Sequence, residues 1–154
     1  MITPVVRIQA QDFDVAAETR RVADTNQNIG AIVTFTGLCR DEGNRLQALE
    51  LEHYPGMAER QIGDVAHEAI KRFDLSGLVA IHRYGIIRPG ENIVLVVAAA
   101  RHRQAAFDGA NFLMDYLKTS APFWKKEHPL DGSEGKWVEA RDADNSALDK
   151  WEKR

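Results

Sequence analysis

Basic side chains are concentrated in one part of this sequence, between residues 101 and 126. The stretch holds five lysines and arginines against two aspartates, a local charge of +3 in a chain with a formal net charge of −3. These cations are Arg101, Arg103, Lys118, Lys125 and Lys126. The net negative charge argues against a general nucleic-acid binder, which needs a basic surface. The local cluster instead predicts a site for an anionic substrate.

The first part of this cluster, Arg101-His102-Arg103, follows a strongly apolar run and precedes a predicted helix. A helix N-terminus attracts anions through its unpaired backbone N–H groups and its dipole. A guanidinium adds two parallel donors that match a phosphate group. A solvated basic turn would have the same residues, but the combination favours a phosphorylated small molecule as the substrate.

The second part of the cluster alternates lysines with aromatic residues, from Lys118 through Phe123 and Trp124 to Lys125 and Lys126. A lysine covered by aromatic rings loses hydration, which makes its neutral amine available for proton transfer or nucleophilic attack. The same lysines could instead extend into solvent from a helix end and a strand. Residue types alone leave both interpretations open.

Hydrophobic periodicity and turn residues predict the elements that must position these side chains. Strands are predicted over residues 4–9, 31–38, 49–52, 78–84, 92–100, 123–127 and 136–139. Helices are predicted up to residue 23, with Asp14 as the N-cap, and over residues 57–73, 104–120 and 143–152. Residues 88–91 should close one hairpin, and the loop after residue 127 a second.

These elements predict an α+β fold with one domain over residues 1–154. Its sheet should be mixed or antiparallel, with two long helices in an α/β hammerhead-like arrangement and a small β-hairpin subdomain. The only cysteine, Cys39, cannot form an internal disulfide, and the longest apolar run is far shorter than the ~20 residues of a membrane span. Because no leader-like segment opens the sequence either, a cytoplasmic location with no membrane partner is expected.

Motifs for metals and nucleotides are incomplete in this chain. His67-Glu68 begins like a zinc-protease motif, but Lys71 stands where its second histidine should be. We therefore expect no metal and no cofactor. Cys39 favours a packing role, and the isolated His53, His82 and His128 are expected to be structural or surface residues rather than part of the site.

Several longer motifs, taken together, resemble the large, catalytic subunit of molybdopterin synthase, the MoaE family. The resemblance extends nearly end to end, and its motifs are Thr36-Gly37-Leu38-Cys39-Arg40, Leu51-Glu52-His53-Tyr54-Pro55-Gly56-Met57, Ile81-His82-Arg83, His102-Arg103, Met114-Asp115-Tyr116-Leu117-Lys118-Thr119, Ala121-Pro122-Phe123-Trp124-Lys125-Lys126-Glu127 and Trp137-Val138-Glu139-Ala140-Arg141. The chain departs from the family in the loop over residues 40–47, which is shorter than usual.

The resemblance implies a sulfurtransferase that builds the dithiolene of molybdopterin on precursor Z, a cyclic pyranopterin monophosphate. The sulfur would arrive as a thiocarboxylate at the C-terminal Gly-Gly of a small ubiquitin-like subunit. The family pattern assigns catalysis to Lys118 and Lys125. It assigns substrate binding to Leu38, Cys39, Arg40, His102, Arg103, Lys126 and Glu127, with Leu38 and Cys39 acting through their backbone.

The spacing of these residues also predicts a shared site. Arg103 and Lys118 are 15 positions apart, or roughly 22 Å if one helix joins them. One pterin cannot easily reach both, so we expect a symmetric homodimer in which one chain provides Lys118, Lys125 and Arg40 and its mate provides His102 and Arg103. With a small subunit at each end, the assembly would be a heterotetramer. The alternatives are a non-catalytic module that docks a ubiquitin-like tail and a phosphate-sensing regulatory domain.

Overall fold

Residues 2–138 and Trp151 are described by a computed structural model, and all structural statements below concern this part of the chain. It contains eight strands: β1 (Val5–Gln9), β2 (Ala31–Leu38), β3 (Leu46–His53), β4 (Gly77–Arg83), β5 (Gly85–Ile87), β6 (Asn92–Ala100), β7 (Phe123–Pro129) and β8 (Lys136–Val138). The α-helices are α1 (Val15–Ala23), α2 (Met57–Phe73) and α3 (Arg103–Thr119), and one 3-10 turn covers Glu42–Asn44.

The first sheet has the strand order β1-β4-β6-β2 and contains the main core. Strands β1 and β4 run parallel, whereas β4, β6 and β2 are joined by antiparallel pairs. Helices α2 and α3 cover one face, and apolar residues of α1 and its flanking segments pack on the other. Because β6 lies in the interior of the sheet with both faces covered, its side chains are apolar without alternation.

The second sheet has the order β5-β3-β7-β8 and is antiparallel throughout. Its core is small and consists of Cys39, Leu51 and Ile87. The two sheets meet where β4 passes into β5 through Tyr84, and Ile93 packs against both cores. This junction brings β7 of the second sheet close to the helices of the first.

Local signals in the sequence explain where the helices begin and end. The Asp14 carboxylate accepts a hydrogen bond of 3.0 Å from the Ala17 N–H, which confirms Asp14 as the N-cap of α1. Helix α3 begins after His102 and ends at Thr119, with Ser120 as its C-cap two residues before Pro122. Arg103 therefore opens α3, and Lys118 lies in its last turn. No helix in the described residues is long and apolar enough to cross a membrane.

The predicted fold class and both hairpins are confirmed, as are the two long helices. The prediction missed β5 and placed only residues 49–52 of β3 in a strand. As a result, the expected hairpin subdomain is a four-stranded sheet. The predicted terminal helix over residues 143–152 lies outside the described residues apart from Trp151. That residue is buried, and its indole N–H donates to the Asp115 carboxylate at 2.6 Å.

Candidate functional site

Three of the predicted site residues lie at the two ends of helix α3: His102 and Arg103 at its start, and Lys118 in its last turn. One unbroken helix joins Arg103 to Lys118, so their backbones are separated by about 22 Å at 1.5 Å per residue. Arg103 lies beyond the C-terminal end of β6. His82 pairs with Val94 near the beginning of β6, at the other end of the same sheet. The structure thus separates a His102-Arg103 end from a lysine end.

The His102-Arg103 end is an exposed helix start. Arg101, His102 and Arg103 are all exposed, and His102 takes an extended backbone conformation as the N-cap of α3. The chain is fixed here by Gly30, whose N–H donates to the Ala100 carbonyl at 2.9 Å. A Cβ on Gly30 would lie 2.1 Å from the Arg101 carbonyl oxygen, so any other residue would displace the start of the helix.

The lysine end combines residues from both sheets. Lys118 is exposed in the last turn of α3, and Lys125 is half-buried on β7 opposite the buried Leu51. Phe123 precedes Lys125 by two residues and therefore shares its face of the strand. Trp124 projects to the opposite face and packs edge-on against Tyr54, with ring centroids 4.9 Å apart. Trp124 thus does not provide the aromatic cover that the sequence suggested for Lys125.

A buried histidine stacks on Phe123, the residue that begins the strand of Lys125. His82 is 8% exposed, and its ring stacks on Phe123 with centroids 3.8 Å apart and planes 15° apart. Its Nδ1 lies 2.9 Å from the Arg83 carbonyl oxygen, which makes Nδ1 the protonated nitrogen of the neutral ring. The pKa of His82 is lowered from 6.5 to about 4, mainly by burial and to a smaller extent by the positive charges of Lys125 and Lys118. Phe123 links this buried ring to the strand of Lys125, because Phe123 and Lys125 share one face of β7.

This lowered pKa predicts a pH-dependent stability. Between pH 6.5 and pH 4 the unfolded chain binds a proton at His82 that the folded chain does not, so stability falls as the pH falls through this window. The contribution amounts to about 2 kcal/mol of unfolding free energy between pH 7 and pH 5. Urea denaturation of the wild type and of His82→Phe at both pH values should show a weaker pH dependence in the variant. Equal pH dependence of stability in the two proteins would contradict a lowered pKa of His82 in the folded chain.

An open groove with a volume of about 880 Å³ lies on the second sheet and gathers three of the predicted residues, Arg40, Lys125 and Glu127. Its size suits a small ligand or an extended peptide. Arg45 and Lys136 add two further cations to its lining, and Glu127 lies opposite Lys136 on the neighbouring strand. The 3-10 turn before Arg45 is closed by Asp41, whose carboxylate accepts from the Arg45 and Leu46 N–H groups at 2.9 Å each.

The remaining predicted residues lie elsewhere. Lys126 projects to the face opposite Lys125, and its ammonium lies 5.7 Å from the centroid of the Trp137 ring. Leu38 is exposed at the end of β2, whereas Cys39 is buried. The Cys39 N–H donates to the Glu91 carbonyl at 2.8 Å, so it is already used within the protein. Burial raises the pKa of the Cys39 thiol, which fits the predicted packing role.

Sequence reasoning kept His82 outside the site, and it overlooked Arg45 and Lys136. The structure stacks the His82 ring on Phe123, two residues before Lys125, and puts the two cations in the groove with Arg40. For His82, the available signal was its position at the polar end of an apolar strand, within the Ile81-His82-Arg83 motif. For Arg45 and Lys136 no signal existed, because only the pairing of β3, β7 and β8 brings them together.

Fold and site together define a class of small α+β enzyme in which lysine and arginine side chains line an open groove. The sequence model of the MoaE protein family matches residues 8–120, and the chain belongs to this family. A relative from Mesorhizobium japonicum named molybdopterin synthase catalytic subunit is 64% identical over 98% of this chain and 95% of its own.

Solved structures agree with this membership. The molybdopterin biosynthesis MoaE protein from Burkholderia ambifaria is 44% identical, with a TM-score of 0.84 over 97% of this chain and 99% of its own. A complex of subunits 1 and 2 of molybdopterin-converting factor from Helicobacter pylori contains a chain with the same fold. That chain is 22% identical, with a TM-score of 0.68 over 90% of each chain.

Proposed function

We propose that this chain is the catalytic subunit of a molybdopterin synthase. It transfers sulfur from the C-terminal Gly-Gly thiocarboxylate of a small ubiquitin-like partner to precursor Z, in the cytoplasm. The observation that carries the proposal is the position of Lys125, which lines the open groove with Arg40 and shares its strand face with Phe123 of the buried His82-Phe123 stack. The charge of Lys118 also acts on the His82 ring. The name of the Mesorhizobium japonicum relative, a catalytic subunit, is consistent with a second subunit as partner.

The groove and the lysine end suit different parts of the reaction. The groove is open and lined by charged side chains, so an extended C-terminal tail can lie in it with its anionic end near Lys125 and Arg40. Two ammonium groups near one carbonyl stabilise the negative charge that develops when sulfur is transferred. Glu127 and Lys126 extend the polar lining on either face of β7, and Leu38 and Cys39 border Arg40.

In the proposed reaction, the thiocarboxylate sulfur attacks a carbon of the pterin side chain. A C–S bond forms as a C–O bond at that carbon breaks and the departing oxygen takes up a proton, while the sulfur remains acylated by the tail. Lys118 lies at the carbonyl carbon of the tail, and Lys125 stabilises charge or moves a proton. Water then cleaves the acyl C–S bond, releasing the tail as a carboxylate and leaving sulfur on the pterin. A second loaded partner supplies the second sulfur.

Precursor Z carries a phosphate, and His102 with Arg103 forms the anion site that suits it. These two residues lie about 22 Å from Lys118 along α3. We therefore propose a homodimer in which His102 and Arg103 of one chain complete the site of the other. A small subunit bound to each chain would make the assembly a heterotetramer.

Incubation of the protein with precursor Z and thiocarboxylated partner tests the proposal. Mass spectrometry should find a pterin that has gained two sulfurs and a partner that has lost its thiocarboxylate. Partner binding without consumption of the thiocarboxylate would identify a docking module instead. Binding of precursor Z without any effect of the partner would identify a phosphate-sensing domain.

A further inference from the structure

The two proposed catalytic lysines belong to different parts of the fold. Lys118 is on α3, which packs on the first sheet, and Lys125 is on β7 of the second sheet. No single element fixes the distance between their ammonium groups. That distance depends on how the two sheets are held together.

The His82-Phe123 stack lies at the place where the sheets meet. His82 is at the end of β4 in the first sheet, and Phe123 begins β7 in the second. Their rings are nearly parallel, with centroids 3.8 Å apart. Phe123 also packs against the main core under α2 and α3, so the stack connects the strand that bears Lys125 with the core that supports α3.

Neighbouring contacts hold the stack on the side of the second sheet. The His53 ring on β3 lies 6.1 Å from the Phe123 ring and 4.6 Å from the Tyr84 ring, measured between centroids. The hydrogen bond from His82 Nδ1 to the Arg83 carbonyl fixes the orientation of the imidazole. The His82 ring is neutral at pH 7, so it adds no positive charge beside the two lysines.

We infer that His82 is a positioning residue: by stacking on Phe123 it sets the separation of Lys118 and Lys125 that sulfur transfer needs. This inference rests on the proposed function, but the lysine separation can be measured without it. A misplacement of about 1 Å in a catalytic group can lower a rate roughly 100-fold. The stack is therefore expected to affect turnover far more than binding.

Three variants separate the stacked ring from the imidazole nitrogens. His82→Asn keeps a group that can donate to the Arg83 carbonyl but has no ring, and it should lower kcat roughly 10- to 100-fold with little change in KM. His82→Phe keeps a stacking ring of similar volume and should stay within about threefold of wild type. Phe123→Leu removes the other ring and should resemble His82→Asn. His67→Asn is the matched control, because His67 also contacts a backbone carbonyl through Nδ1 but is exposed on α2.

A second measurement reports the lysine separation directly. A short amine-reactive cross-linker, followed by mass spectrometry, gives the yield of the Lys118–Lys125 link. The yield should fall in His82→Asn and Phe123→Leu and remain at the wild-type value in His82→Phe and His67→Asn. If the yields are equal in all variants, or if His82→Phe is as inactive as His82→Asn, the inference is overturned. An inactive wild type with the expected cross-link pattern would instead refute only the proposed function.

Discussion

Replacing Lys118 with Ala is expected to abolish formation of the dithiolene while the small subunit still binds. The side chain is exposed in the last turn of α3, so its removal leaves no cavity in the core. Its favourable interaction with the helix dipole accounts for only about 0.3–1 kcal/mol of stability. The loss of activity should be at least ~100-fold, the usual contribution of a positioned proton-transfer or charge-stabilising group.

The matched control for this variant is Lys71→Ala. Lys71 is also an exposed lysine in the last turn of a 17-residue helix, α2, but it lies on no surface of the proposed site. Single-turnover assays with loaded partner should give wild-type rates for Lys71→Ala and none above background for Lys118→Ala. Titration calorimetry should give similar partner affinities for all three proteins. Wild-type turnover by Lys118→Ala would refute its catalytic role.

Much of the fold could be predicted because local signals are strong in this chain. Asp14 and Pro122 mark the start of α1 and the end of α3, and the apolar run over residues 93–100 indicates a strand covered on both faces. Strand β5 was missed because Gly85–Ile87 is only three residues long and has no pattern of its own. It becomes a strand only because β3 offers it a pairing edge.

The site was predictable to a smaller extent, for a physical reason. Residue types identified cations, and the length of α3 gave the separation of Arg103 from Lys118 without any tertiary information. In contrast, the relation between Lys118 and Lys125 depends on the junction of two sheets. A lone histidine such as His82 carries no sign in the sequence that its ring will stack on Phe123, 41 residues later.

The separation along α3 has a consequence for catalysis by a single chain. A straight helix cannot bend its two ends towards one pterin, and both ends of α3 are anchored, by Gly30 at the start and by the core at Leu113 and Met114 further along. A site that uses both Arg103 and Lys118 must therefore draw them from two chains. The proposed homodimer follows from this rigidity rather than from any contact within the chain.

Heterodimers with one Lys118→Ala chain and one Arg103→Ala chain are expected to recover about half of the wild-type activity. In a shared-site dimer, one of the two sites receives both substitutions and the other receives neither. Two different affinity tags allow such heterodimers to be purified, and the sulfur-transfer rate per dimer is then measured. Each parent homodimer should be inactive, because every one of its sites carries a substitution.

Two further combinations make the result decisive. Heterodimers of Lys118→Ala with Lys125→Ala should stay inactive, because each site takes both lysines from one chain. A chain that carries both Lys118→Ala and Arg103→Ala, paired with a wild-type chain, should also be inactive, since each site then receives one substitution. If each site lay within a single chain, the double variant paired with wild type would keep about half of the wild-type activity. The heterodimer of Lys118→Ala with Arg103→Ala would then have none. Shared sites and single-chain sites thus predict opposite results for these two heterodimers, which carry the same two substitutions on different chains or on one chain.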